Sequence, residues 1–319
     1  MSSNNLKILV FGAGGVGAYF GGRLAQAGAE VSVVCRSDYE SVKKSGYRIK
    51  SIAGDFQFMP AQVCRSAADY QGTADIVMVT AKALPGTNVP ELIRPAVSEN
   101  TSIFIIQNGI DVEKDFAEAF PGTEIISAIA YIGVSREGNG NINHEGAGRL
   151  HAGVYPEGNP SPRLKLLAEL FEKTEIDCKV VSDIVLSRWI KLVWNVPFNP
   201  VSVLAGGVNT QEMVQNPELE QLCSEIMLEV CEVAKACGKE LPPNMVEKNL
   251  NYTRNFPPYK TSMLLDYEHR RPLEVEAILG NVIRNADAKN VPIPHIRAIY
   301  ALLLSVDRNL IRKNKQQDL

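Results

Sequence analysis

The sequence predicts an α/β domain on a doubly wound parallel sheet, followed by an all-helical domain. Three observations carry this fold class. Short β-rich runs alternate with helical patterns over about the first 180 residues. A glycine loop joins the first of these runs to the first helical pattern. Beyond about Ile184 the β-rich runs give way to long amphipathic patterns. This change of texture sets the boundary, with a first domain over residues 1–183 and a second over 184–319.

In chain order, KILVFGAG, EVSVVCR, ADIVMVTAK, SIFIIQNG, EIISAIAYIG, GRLHAGVY and CKVVSD read as strands, bounded by Gly, Pro and Asn turns. The Gly/Asn-rich stretch 135–148 reads as a hairpin or loop. In the second domain, 188–200 has a helical pattern. Over 217–241, Leu219, Leu222, Ile226 and Val230 form an apolar stripe, and Gly238 fits a helix stop. Residues 273–290 and 293–313 read as two more helices, and the charged end from Arg312 onward as a frayed tail.

Composition excludes several function classes. The 319 residues are 45% apolar and 22% charged, with a net charge of −3, so no basic excess points to nucleic acid. No window supplies the ~18 uncharged apolar residues of a membrane span, and the apolar run after Met1 is too short for a signal segment. The six cysteines (35, 64, 178, 223, 231 and 237) show no C-x-x-C spacing and read as free thiols of a cytoplasmic protein, with no metal site. His144, His151, His269 and His295 read as structural or surface residues.

The glycine loop has a specific use. Gly12, Gly14 and Gly17 stand in G-x-G-x-x-G spacing after a strand and before a helix, the Rossmann-type arrangement for a dinucleotide. The loop residues Gly12, Ala13, Gly14, Gly15, Val16 and Gly17 would bring backbone N–H groups and a helix N-terminus to the pyrophosphate. An NAD site usually places an acid about 20 residues on, to hold the ribose 2′-OH. Here Cys35 and Arg36 occupy the strand end, and the first acid is Asp38. Arg36 offers a planar fork for a 2′-phosphate, and Lys82 is a second strand-end cation, so the cofactor expected is NADP(H). Asn108 ends another strand on the same edge. It is a cleft candidate, although Asn-Gly is also an ordinary turn.

RWIKLVWNVPFNP (188–200) places Lys191, Asn195 and Asn199 four residues apart, within roughly 80° on one helix face. Two readings stand on spacing alone. The lysine snorkels while the asparagines serve local backbone near Pro197 and Pro200. Alternatively, a partly desolvated lysine flanked by neutral donors polarises a carbonyl and delivers a proton.

The G-x-G-x-x-G loop, QNG, K-L-x-x-N-x-x-x-N-P and the late S-M-x-x-D with its following glutamates together resemble the ketopantoate reductase family, over roughly residues 6–305. The resemblance implies a second domain of the 6-phosphogluconate dehydrogenase type and NADPH-dependent reduction of 2-dehydropantoate to (R)-pantoate, on the way to pantothenate and coenzyme A. It implies Lys191 as catalytic acid, with Asn108, Asn195, Asn199, Asn209 and Ser262 on the substrate. It implies Arg36 and Lys82 on the 2′-phosphate, Val134 meeting the cofactor through main chain, and Glu274 near the nicotinamide ribose, with Glu276 competing for that place. A related reductase of another 2-keto acid is the nearest alternative, and a non-catalytic NADP-binding protein a further one. The partner expected is a small-molecule 2-keto acid, with neither nucleic acid nor membrane. A homodimer through the C-terminal helices stays open.

Overall fold

The structure, a computed structural model, describes residues 6–317. The chain folds as two compact units. The first comprises Met1–Lys82, Thr87–Gln107 and Val112–Val185; the second comprises Ala83–Gly86, Asn108–Asp111 and Leu186–Leu319. The two short strand-end segments of the second unit fall in the first domain on the sequence reading.

In the first unit, β1 (Lys7–Phe11) is followed by α1 (Gly15–Gln26), β2 (Glu30–Val34), α2 (Tyr39–Ser45), β3 (Tyr47–Ser51), β4 (Phe56–Phe58) and β5 (Val63–Cys64). Then come β6 (Ile76–Val79), α3 (Val89–Ile93), β7 (Ser102–Ile106), α4 (Lys114–Ala119), β8 (Ile125–Gly138), β9 (Asn141–Val154), α5 (Pro162–Glu172) and β10 (Cys178–Val180). β1 pairs in parallel with β2 on one side and β6 on the other. The strand order therefore reverses at β1, and the glycine loop leaves its carboxyl end at this switch point, where such sheets bind ligands.

The parallel part runs β5-β2-β1-β6-β7-β8. The sheet then continues through an antiparallel hairpin of two 14-residue strands, β8 and β9, to β3 and β4, with β10 beside β9. The stretch read as a hairpin or loop is thus mostly strand. Its glycines mark register shifts, and Ala147 and Gly148 take φ of 53° and 116° where the pairing slips. The curled sheet wraps α1, which packs on β1, β2, β4, β8 and β9. Every residue of α1 from Gly17 to Leu24 is buried, so small residues are needed where strands press close. A Cβ at Gly22 would lie 2.8 Å from the Phe56 ring.

The described part of the second unit consists of helices and loops. α6 (Ile184–Leu204) begins at its edge, followed by α7 (Thr210–Gln215), α8 (Pro217–Ala236), α9 (Met245–Asn255) and α10 (Ser262–Glu268). A π-helical turn (Glu276–Gly280), α11 (Asn281–Lys289) and α12 (Pro294–Gln317) complete it. The helix expected over 273–290 forms from Val275 to Lys289 without a break, its first part wound as the π turn, while Leu273 and Glu274 lie outside it. Gly238, with φ of 78°, follows α8 as expected. Glu229 of α8 accepts the first N–H groups of α12, from His295 and Ile296, at 2.9 Å each. The charged end continues α12 through Gln317; residues 318–319 lie outside the described residues. Among the described residues no helix is long and apolar enough to cross a membrane.

Candidate active site

The glycine loop is held from three sides. Ala13 N–H donates to the Val34 carbonyl at 3.2 Å, Thr80 Oγ1 donates to the Gly12 carbonyl at 2.8 Å, and the Tyr47 hydroxyl donates to the Ala13 carbonyl at 2.9 Å. α1 starts at Gly14 with no side-chain cap and no acid in its first turn, which leaves the N-terminal end of the dipole to an outside anion. A Cβ at Gly14 would meet nothing closer than 3.9 Å, so the surface there is open. A Cβ at Gly15 would lie 3.3 Å from the Val134 carbonyl, which puts the main chain of β8 beside the loop, where Val134 was expected. Val16 is half-buried at the start of α1, and Gly17 admits no Cβ because it would collide with Thr80 Oγ1. Arg36 is exposed two residues beyond β2, and Lys82 is half-buried three residues beyond β6. An uncapped helix start, an open glycine and exposed cationic charge fit the pyrophosphate and ribose phosphate of a dinucleotide.

In the second unit, α6 presents its polar stripe in an otherwise apolar setting. Trp189, Leu192, Val193, Val196 and Phe198 are buried around it. Lys191 is half-buried, and its ammonium donates to Asn108 Oδ1 at 2.9 Å. Asn108 Nδ2 donates in turn to Glu274 Oε2 at 3.4 Å, while Glu274 Oε1 accepts from the Ala83 N–H at 3.3 Å. Desolvation lowers the Lys191 ammonium from its usual 10.5 to about 8; the Arg188 guanidinium pushes the same way and the Glu274 carboxylate opposes it.

Asn195 and Asn199 keep only 5% and 2% of their surface. Among the described residues, neither carboxamide makes a hydrogen bond to protein. Their polar atoms are not among those sealed from solvent without a partner, so two carboxamides one turn apart beside Lys191 are suited to a ligand.

The structure also separates the two glutamates. Glu274 joins the Lys191–Asn108 cluster, whereas Glu276 accepts from the Tyr300 hydroxyl at 2.5 Å and from Arg284 at 2.8 Å. Among the described residues, no group of three or more His, Cys, Asp or Glu side chains could hold a metal ion.

Comparison with known proteins gives this arrangement its context. Residues 8–157 match the family described as ketopantoate reductase PanE/ApbA, and residues 183–307 match its C-terminal counterpart. The chain belongs to the ketopantoate reductase family. It is 33% identical over 308 residues to a 2-dehydropantoate 2-reductase of Nostoc sp., covering 95% of this chain and 96% of that one. The crystal structure of 2-dehydropantoate 2-reductase from Methylococcus capsulatus superposes with a TM-score of 0.89 at 45% identity, covering 96% of this chain and 97% of that one. The enzyme of the same name from Geobacter metallireducens GS-15 gives a TM-score of 0.89 at 33% identity, over 94% and 99% of the two chains.

Two residues expected from the ketopantoate reductase pattern have local surroundings of their own. Asn209 caps α7: its Oδ1 accepts from the N–H groups of Gln211 at 2.9 Å and Glu212 at 3.0 Å, and Glu212 returns a bond to the Asn209 N–H. This is a capping box, which N-x-x-E in the sequence already spelled. Asn209→Ala is expected to cost about 1 kcal/mol in denaturant unfolding. A rise in KM for the keto acid beyond that cost would show that Asn209 also meets the substrate, through the Nδ2 that the cap does not use.

Ser262 is exposed in the first turn of α10, and the cap there is Thr261, whose Oγ1 accepts from the Leu264 N–H at 3.1 Å. Thr261 rather than Ser262 therefore caps the helix, and the Ser262 hydroxyl is not committed to it.

Arg188 was missed by sequence. It is 2% exposed and donates to the Gly109 carbonyl at 3.0 Å, tying the Asn108 turn to α6. The π turn holds the other end of that segment, since the Ala277 carbonyl accepts from the Ile110 N–H at 3.3 Å.

Proposed function

We propose that this chain is an NADPH-dependent 2-dehydropantoate 2-reductase that forms (R)-pantoate, with Lys191 as general acid. The observation that carries the reading is the Lys191–Asn108–Glu274 chain beside the carboxamides of the largely buried Asn195 and Asn199 on α6. The glycine loop from Gly12 to Gly17 and the Val134 main chain would hold the dinucleotide, with Arg36 and Lys82 on its 2′-phosphate and Glu274 near the nicotinamide ribose. When bound, the reduced nicotinamide supplies the hydride to the keto carbon.

The chain's own residues do the rest. Asn108 holds the Lys191 ammonium in place, and Glu274 holds Asn108. The ammonium polarises the keto oxygen, stabilises the negative charge that develops there and delivers its proton to it. Lys191 then regains a proton from water. Asn195 and Asn199 hydrogen-bond the substrate hydroxyl and carbonyl groups, and Ser262 binds the carboxylate.

An ammonium titrating at about 8 is still mostly protonated at neutral pH, yet releases its proton more readily than an ordinary lysine. The reductive kcat/KM is therefore expected to fall on the alkaline side with a midpoint of about 8, where Lys191 loses the proton it must give. Glu274→Gln should move this limb to lower pH, because the carboxylate holds the lysine pKa up. A rate flat through that range would remove Lys191 as the acid. Steady-state assays with ketopantoate, other 2-keto acids, NADPH and NADH test substrate and cofactor together. No preference for ketopantoate would overturn the substrate assignment.

A further inference from the structure

Asp38, the acid that follows β2, is in an unusual state. It stands at the N-cap of α2 but makes no cap hydrogen bond. It is 6% exposed, its Oδ2 is buried with no hydrogen-bond partner, and its Oδ1 accepts from Arg136 Nη1 at 2.8 Å. The same Nη1 donates to Ser37 Oγ at 2.6 Å. Arg136 comes from β8, far away in sequence, and crosses to the strand end where Arg36 lies. The neighbouring Arg65 is engaged separately, with Glu40 at 2.5 Å and over the Tyr39 ring at 4.0 Å.

An acid just past β2 is the group that ordinarily selects a ribose 2′-OH and repels a 2′-phosphate. Here a guanidinium covers it. With Arg36 and Arg136 against one carboxylate, the corner keeps a net positive charge; without Arg136, Arg36 and Asp38 would cancel. Arg136 also fixes both Ser37 and Asp38, which sets the backbone that carries Arg36.

We propose that Arg136 determines cofactor selectivity: it neutralises Asp38 and holds the Ser37–Asp38 corner so that a phosphate-bearing ribose is accepted there. This rests on the NADP(H) reading above.

The test is Arg136→Gln, assayed with NADPH and NADH and titrated by calorimetry with adenosine 2′,5′-bisphosphate and with 5′-AMP. The KM for NADPH is expected to rise about tenfold with that for NADH little changed, and the preference for the bisphosphate to fall by a similar factor. Adding Asp38→Asn should recover much of the lost preference, since the uncovered acid is then gone. An unchanged preference in Arg136→Gln overturns the proposal, as does an equal loss with both cofactors, which would mark a role in folding alone. A double variant no better than the single one overturns the neutralisation of Asp38. Wild-type protein that binds both nucleotides equally well overturns the NADP(H) reading itself, and the role of Arg136 with it.

Discussion

Lys191→Ala is expected to lower kcat for keto-acid reduction by about three orders of magnitude while leaving dinucleotide affinity in place. The substitution removes both the proton donor and the charge facing the developing oxyanion. The glycine loop belongs to the first unit and Lys191 to the second, so the loop's own hydrogen bonds do not depend on it. Stability should not fall, because burial already works against this ammonium. Denaturant unfolding of the variant then separates lost chemistry from lost structure. Lys191→Arg should be nearly as poor, since a guanidinium keeps the charge but does not release a proton near neutrality. Full activity in Lys191→Ala, with fold and NADPH binding intact, would remove the mechanism.

Much of the fold is legible because its signals are local. The glycine loop, the strands of the parallel core and the stop at Gly238 each depend on a few adjacent residues. The strands β3 and β4 are harder to read, although Tyr47 and Ile49 alternate with Arg48 and Lys50 and are buried as a period of two requires. β3 pairs with β9, from Arg48 opposite Asn141 onward, a partner that no local pattern reveals. The hairpin at 135–148 was legible as one of two readings, but its length was not, because glycines at register shifts look like glycines in loops. The wrapping of α1 by this hairpin is likewise a property of pairing, invisible along the chain.

The candidate site divides along the same line. Lys191, Asn195 and Asn199 stand out because an α-helix puts every fourth residue on one face. Arg188 lies on the same helix, but its partner is a carbonyl at Gly109, so its position only acquires meaning in three dimensions. Glu274 and Glu276 cannot be told apart by spacing. Their partners separate them: Asn108 and Ala83 for the first, Tyr300 and Arg284 for the second.

The glycine loop yields the other large effect, and its glycines should behave differently. Gly12→Ala is expected to destabilise the protein by about 3 kcal/mol, from backbone strain and overpacking combined. Gly12 has φ of 87°, and an added Cβ would lie 2.5 Å from the Ala81 nitrogen and 2.6 Å from its Cα. Those are backbone atoms just past β6, which cannot rotate away as a side-chain tip can. Nor can Gly12 retreat, since its N–H donates to the Val34 carbonyl at 3.3 Å and its carbonyl is held by Thr80. Gly14→Ala should fold normally: its φ of −81° suits any residue, and the nearest neighbour of a new Cβ is 3.9 Å away. The added methyl would instead occupy the open surface over which a pyrophosphate must approach the start of α1. Gly14→Ala should therefore weaken dinucleotide binding at wild-type stability, whereas Gly12→Ala should lose stability first and binding as a consequence. Unfolding curves and NADPH titrations on both variants check this. If Gly14→Ala binds NADPH as wild type does, the cofactor does not use this loop in the way proposed.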